Sequence, residues 1–209
     1  MQPSFLIENN YPNLLVCGFD EAGRGPLAGP VVAACAILNP NNFPKEINDS
    51  KKLSKSLRFK VFSELKNVAK FGVGIVDEKV IDKINILEAT KLAMLQAYFN
   101  LSEKYQVFPQ IILVDGNFLP FAKRDKIVEI SAIVKGDQKS LSIAAASIIA
   151  KETRDQIMRD LDQKYPQFGF AKHAGYATKF HVEQIHKYGF CEFHRKSFEP
   201  IKSMFSVSS

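Results

Sequence analysis

The chain has 209 residues and a mass of 23.5 kDa, with 46% apolar and 24% charged residues, which excludes the disordered and fibrous classes. Its three cysteines, Cys17, Cys35 and Cys191, form no CxxC pair, so neither a disulfide framework nor a zinc ribbon is visible and the composition fits a reducing, cytoplasmic setting. Basic residues exceed acidic ones by 28 to 22, and residues 164–209 hold 7 basic against 3 acidic groups, which points to a polyanionic partner beside the plainer reading of a solvated lysine-rich surface.

Leu14–Phe19 (LLVCGF) is a short apolar run that predicts a buried strand, followed directly by Asp20 and Glu21. A Gly/Pro-rich turn over residues 22–30 leads to a second predicted strand, Val31–Leu38, and so short a connection favours antiparallel pairing. Residues 39–55 read as a polar loop, Ser56–Lys70 as a helix and Phe71–Val76 as a third strand. Apolar residues at Ile84, Leu87, Leu92, Leu95 and Tyr98 predict a helix over Asp82–Leu101. Gln110–Val114 is the fourth predicted strand, closed by Asp115-Gly116, and Glu129–Val134 is a fifth. Ser140–Lys164 predicts a long helix whose Ala- and Ile-rich first half is buried all round. From Tyr165 onward the basic tail reads as a small helical extension, with Phe180–Tyr188 its best helix. The layout is α/β, divided into a body over 1–164 and a basic helical extension over 165–209. No apolar run reaches the roughly 20 residues of a membrane span. The first eight residues lack the basic region of a secretory signal.

Four acids stand out by placement. Asp20 and Glu21 follow one apolar strand, Asp115 follows another, and Asp137 sits between a predicted strand and the long helix. Carboxylates at the C-terminal ends of strands in an α/β sheet converge on one edge. Their mutual repulsion is relieved by a hard dication, and Mg²⁺ or Mn²⁺ takes oxygen ligands. Each acid alone also has an ordinary reading: a strand end for Asp20-Glu21, a turn for Asp115-Gly116, and a helix cap for Asp137, with Ser140 an equal candidate for that cap. Gly23-Arg24-Gly25 follows the first acidic pair, and glycines let a backbone approach a ligand closely. The glycines fit neither a Walker A loop, where Arg24-Gly25 stands in place of Lys-Ser/Thr, nor the GxGxxG spacing. His181, His186, Cys191 and His194 make a conceivable zinc set, but they lack the i, i+4 spacing and paired cysteines such a site uses.

Taken together, the sequence resembles the bacterial ribonuclease HII family, the type 2 ribonucleases H. The resemblance rests on the segment from Gly18 to Val32, on Asp49-Ser-Lys-Lys-Leu-Ser54 and on Leu113-Val-Asp-Gly-Asn117. It continues through Val134-Lys-Gly-Asp137 with Lys139-Ser140, Ala144-Ala-Ala-Ser-Ile148 through Lys151, His173-Ala-Gly-Tyr176 with Thr178-Lys179, and His194-Arg195 with Ser197-Phe198 and Pro200. It implies a ribonuclease H-like fold: a central mixed five-stranded sheet flanked by helices, with a small helical C-terminal extension. It implies metal-dependent endonucleolytic cleavage of RNA in RNA–DNA hybrids. It also implies incision 5′ of single ribonucleotides in duplex DNA, leaving 3′-hydroxyl and 5′-phosphate ends. It assigns Asp20, Glu21, Asp115 and Asp137 as the catalytic carboxylates and as ligands of two Mn²⁺ or Mg²⁺ ions. It gives recognition of the 2′-hydroxyl to Gly23, Arg24, Gly25 and Tyr176. Lys51, Lys139, Lys172 and Lys179 are candidate phosphate contacts.

One departure is visible. Ala177 stands where the family usually has glycine, which strains the loop if that position needs a positive φ. The expected partners are RNA–DNA hybrid and ribonucleotide-containing duplex DNA, with no membrane. A monomer is the default, and Ser203–Ser209 reads as either a frayed terminus or a docking peptide for a replication factor. Competing readings are another two-metal nuclease or resolvase on the same fold, and a noncatalytic RNA-binding module. The module reading finds no RNP-type aromatic strand and no KH loop.

Overall fold

The computed structural model describes residues 2–122 and 126–206. Its strands are β1 (Val16–Ala22), β2 (Val31–Ile37), β3 (Lys70–Val76), β4 (Ile111–Asp115) and β5 (Glu129–Ile133). Its helices are α1 (Lys55–Val68), α2 (Glu78–Tyr105), α3 (Leu141–Lys164), α4 (Phe170–His173), α5 (Lys179–Tyr188) and α6 (Ile201–Ser206). The five strands form one mixed sheet in the order β3-β2-β1-β4-β5. β1 and β2 pair antiparallel, as the short 22–30 turn predicts; β3 pairs antiparallel with β2, β4 pairs in parallel with β1, and β5 in parallel with β4.

Alternation along the strands divides the core between the two faces of the sheet. Val31, Ala33 and Cys35 of β2 pack with Ala93, Met94 and Ala97 of α2 on one face. Ala34 and Ala36 pack with Val61 and Leu65 of α1 and with the Ala144–Ala150 stretch of α3 on the other. The first half of α3 is buried all round, as its composition predicts, because it lies between the sheet and α1. Gly18 makes that approach possible: a Cβ on it would fall 2.2 Å from the Ile143 amide nitrogen. A third cluster joins Leu27 and Ala28, Met158 and Leu161 of α3, and Phe168, Phe170, Ile185 and Ile201 of the C-terminal segment. Among the described residues no helix is long and apolar enough to cross a membrane.

Two elements run further than their apolar patterns. β1 continues through Asp20 and Glu21 to Ala22, because the small Ala34 and Ala33 of β2 lie opposite the two acids and the ladder keeps its register. The acids therefore lie within the strand rather than after it. α2 extends over Glu78–Tyr105 because Asp77 caps it, accepting from the Val80 amide at 2.8 Å. It breaks at Asn85 (φ 67°), whose side chain accepts from the Leu87 and Glu88 amides and starts the helix again. Of the predicted tail, residues 203–206 belong to α6 and 207–209 lie outside the described residues.

Candidate active site

β1 and β4 run side by side in parallel, with Phe19 opposite Val114, so the next residues on the two strands are Asp20 and Asp115. Asp20 shares the α3 face of its strand with Gly18 and takes a hydrogen bond from the Ser147 hydroxyl of α3. Its Oδ1 also accepts from the Glu21 amide at 2.7 Å. Asp115 Oδ1 accepts from the Gly136 amide at 2.6 Å, which fastens the end of β4 to the turn that carries Asp137. Asp137 does not cap α3; Ser140 does, accepting from the Ile143 amide.

Asp20, Glu21 and Asp115 line one cavity of about 430 Å³ together with Gly23, Arg24, Gly25, Lys51 and Tyr176. Asp137 is not among the lining residues. It is buried nearby and interacts electrostatically with Asp115, Asp49 and Lys51. Lys172 of α4 lines an adjoining hollow of about 680 Å³ that shares Lys151 and Tyr176 with the first. Lys139 is exposed beside the Gly136–Gln138 turn, and Lys179 is exposed at the start of α5, 3.9 Å from Glu183. Those two lysines line neither hollow.

Burial pushes the Asp20 carboxyl well above the usual carboxylate range, and the neighbouring charges of Glu21 and Asp115 push it further. Burial raises Glu21 as well, against the pull of Arg24, whose guanidinium lies 3.3 Å from Glu21 Oε1. Asp137 is raised by burial and by the charges of Asp115 and Asp49. Burial opposes the charge on Lys51, but Asp137, Asp20, Asp49 and Asp115 outweigh it and raise the ammonium pKa. Glu21 Oε2 is buried with no hydrogen-bond partner among the described residues. An all-oxygen donor set with an orphaned carboxylate oxygen and mutual repulsion has the chemistry that a hard dication satisfies. No three acidic, imidazole or thiol side chains among the described residues close around a single point as they stand.

The recognition residues come together from both ends of the chain. A Cβ built on Gly25 would lie 3.7 Å from the Tyr176 ring, and the Leu27 amide donates to Gly175 O at 2.8 Å. Gly23 has φ +95°, and a Cβ there would fall 2.0 Å from Arg154 Nε, so no larger residue fits. Ala177 has no positive φ among the described residues; that conformation falls on Ala174 (φ 50°) and Gly175 (φ 79°), so alanine at 177 carries no backbone strain.

Several site residues escaped the sequence reading of roles. Ser147 and Ser50 share a hydrogen bond at 2.9 Å beneath the carboxylates. Lys51 is aimed by the Asp49 turn, in which Asp49 Oδ1 accepts the Lys51 amide and Gln138 Nε2 donates to Oδ2. Arg154 is buried and donates to Pro30 O, Ala28 O and Ala174 O. A serine in an alanine-rich helix reads as filler, and an arginine in a charged helix half reads as surface. The polar character of Ser142 and Ser147 within an otherwise apolar run was the available signal. The histidine–cysteine set is no zinc site: His181 Nε2 and His194 Nε2 face each other at 3.0 Å as hydrogen-bond partners, and His186 is exposed.

The family model for ribonuclease HII matches residues 17–201. The chain is 55% identical to a ribonuclease HII of Acetivibrio thermocellus over 186 residues, covering 88% of this chain and 69% of that protein. It is 49% identical to a ribonuclease HII of Bacillus cereus strain Q1 over 208 residues, covering 96% and 77%. The crystal structure of ribonuclease H2 from Pyrococcus horikoshii OT3 superposes with a TM-score of 0.70 at 29% identity, over 92% of this chain and 97% of that one. The mixed sheet with its flanking helices is thus the ribonuclease H-like fold, and the chain belongs to the ribonuclease HII family of endonucleases, which cleave RNA in RNA–DNA hybrids.

Proposed function

We propose that this protein hydrolyses the RNA strand of RNA–DNA hybrids and incises duplex DNA on the 5′ side of a single ribonucleotide, leaving 3′-hydroxyl and 5′-phosphate ends. The observation that carries this reading is the meeting of Asp20, Glu21 and Asp115 with Gly23, Arg24, Gly25 and Tyr176 in one cavity. Acids suited to divalent ions and groups suited to a ribose lie within a nucleotide's length of each other there.

Asp20, Glu21, Asp115 and Asp137 are the residues that would hold two Mn²⁺ or Mg²⁺ ions. When bound, such ions supply charge neutralisation at the scissile phosphate and activation of the attacking water. Ser147 and the Glu21 amide orient Asp20, and the Gly136 amide orients Asp115, so these carboxylates are set before substrate arrives. Lys51 brings a cation to the rim, where a phosphate oxygen develops charge. The Gly23–Gly25 backbone and the Tyr176 hydroxyl take the 2′-hydroxyl, the group that separates RNA from DNA. The half-exposed Tyr176 ring lies against the following sugar. Lys51, Lys139, Lys172 and Lys179 are our proposed phosphate contacts, with Lys172 set where the strand leaves the cavity into the adjoining hollow. In this reading residues 1–164 carry catalysis, 165–209 complete the sugar site, and one copy of the chain suffices.

One panel tests the proposal: duplex DNA, the same duplex with one ribonucleotide, an RNA–DNA hybrid and duplex RNA, each with Mg²⁺ or Mn²⁺. The expected result is cleavage of the hybrid and the ribonucleotide-bearing strand alone. Cleavage of plain duplex DNA at an equal rate overturns it.

A further inference from the structure

Both loops of the sugar site are fastened to one dipeptide near the C-terminal end of the described chain. Residues 27–29 and 193–195 run antiparallel: Gly29 donates its amide to Phe193 O at 2.9 Å, Arg195 donates its amide to Leu27 O at 2.8 Å, and Ala28 faces His194. Arg195 is fully buried, and its guanidinium is directed at main-chain carbonyls. Nη2 donates to Gly23 O at 2.6 Å and Gly29 O at 2.7 Å, Nη1 to Arg24 O at 3.0 Å, and Nε to Gly29 O at 3.0 Å.

That arrangement has a directional effect. In a trans peptide the N–H points opposite to the C=O. The peptides after Gly23 and Arg24 are trans. With both carbonyls turned back onto Arg195, the amides of Arg24 and Gly25 face the other way, away from the guanidinium. Neither amide has an acceptor among the described residues. Two adjacent main-chain donors are thus left free in a loop that lines the cavity, which suits an oxygen ligand.

His194 holds the second loop. His181 Nδ1 lies 2.9 Å from Tyr176 O, a carbonyl that can only accept, so Nδ1 carries the proton. Burial keeps both imidazoles neutral at physiological pH, with pKa values down to about 4. His181 Nε2 is then bare, and the proton in its 3.0 Å contact comes from His194 Nε2. His194 Nδ1 is bare in turn and accepts from the Cys191 amide at 3.0 Å. Each tautomer is fixed by its neighbour, and the chain of bonds ends on the residue that carries the tyrosine.

We propose that His194 and Arg195 are positioning residues for sugar recognition: Arg195 sets which way the Gly23–Arg24–Gly25 peptides face, and His194, acting through His181, fixes the backbone of Tyr176. Neither touches substrate. The inference rests on the reading of those two loops as the 2′-hydroxyl recognisers. Lysine cannot replace Arg195, because its single nitrogen cannot occupy the separate Nε, Nη1 and Nη2 positions from which the planar guanidinium reaches Gly29 O, Arg24 O and Gly23 O. Glutamine can replace His194 in part, because its amide NH₂ reaches the position of Nε2, whereas phenylalanine keeps the shape and loses the donor.

The test is the ratio of kcat/KM for a single ribonucleotide in duplex DNA to that for a continuous hybrid, measured on the full chain with Mn²⁺. Arg195→Lys and His194→Phe are expected to lower the ratio about tenfold or more, and His194→Gln to restore most of it. An unchanged ratio in folded variants, or an equal loss on both substrates, overturns the inference. Tyr176→Phe on the same panel tests the underlying reading separately: if it leaves the ratio unchanged, the recogniser assignment fails whatever the other variants do. Should the Arg195 variants not fold, the unaltered protein decides by NMR. Arg195 guanidinium protons protected from exchange, with Arg24 and Gly25 amides exchanging freely, support the proposal. Guanidinium protons exchanging as in free arginine overturn it.

Discussion

The carboxyl group of Asp20, a residue with 6% of its surface exposed, sits between the Ser147 hydroxyl and two further carboxylates. Burial and repulsion oppose its ionisation, so carrying that charge makes the metal-free fold less stable. Asp20→Asn is expected to raise the melting temperature in chelator by about 2–4 °C, or about 1 kcal/mol, while abolishing turnover. Thermal unfolding with and without Mn²⁺ checks this, and the variant is expected to lose most of the ion-induced rise. Asp115→Asn keeps an oxygen for the Gly136 amide and so keeps the fold. It is expected to lower kcat by at least about 100-fold with binding of uncleaved hybrid retained, measured by single-turnover cleavage and by titration. Asp20, Glu21 and Asp115 were legible because they directly follow apolar runs, a pattern strong enough to survive placing the end of β1 three residues early. Ser147 was not, because a hydroxyl in an Ala/Ile helix gains meaning only once β1 lies against it.

Between elements, the tie with the most at stake is Arg58. Its guanidinium is buried between α1 and α3, with Nε 2.6 Å from Glu152 Oε1, Nη2 3.2 Å from Asp155 Oδ2 and Nη1 3.2 Å from Ser50 O. It braces both helices and the turn that aims Lys51. Arg58→Ala leaves the buried Glu152 carboxylate without its cation, while Asp155 keeps Lys151, and is expected to cost about 3–5 kcal/mol in denaturant unfolding. The five strands were readable as short apolar runs bounded by polar or Gly/Pro residues, and α1, α2, α3 and α5 as longer segments of helical character, with the apolar spacing most explicit in α2. α4 and the 3₁₀ turns at Gly136–Gln138 and Pro166–Phe168 were not, since three or four residues hold no repeat. The break at Asn85 was invisible for a different reason: the apolar face continues across it, and only the backbone changes.

For the whole molecule, pH and charge set the range in which the fold serves. The buried His181 and His194 have folded pKa values of about 4 against an ordinary 6.5. The unfolded chain takes up protons first, so their contribution is fully present above about pH 6.5 and is lost as pH falls toward 4. Stability measured by denaturant titration is expected to drop by a few kcal/mol across that window, and His194→Gln to flatten the drop. The net charge of +6 makes binding of a nucleic acid weaken steeply with salt, which a titration from 50 to 200 mM checks by its log–log slope. The antiparallel contact between residues 27–29 and 193–195 also orders events in time. During synthesis the strands bearing the first three acids leave the ribosome long before residue 193. The glycine loop gains its anchor only after residues 193–195 have been made, so the part of the surface that tells one sugar from another is set later than the strands that carry those acids.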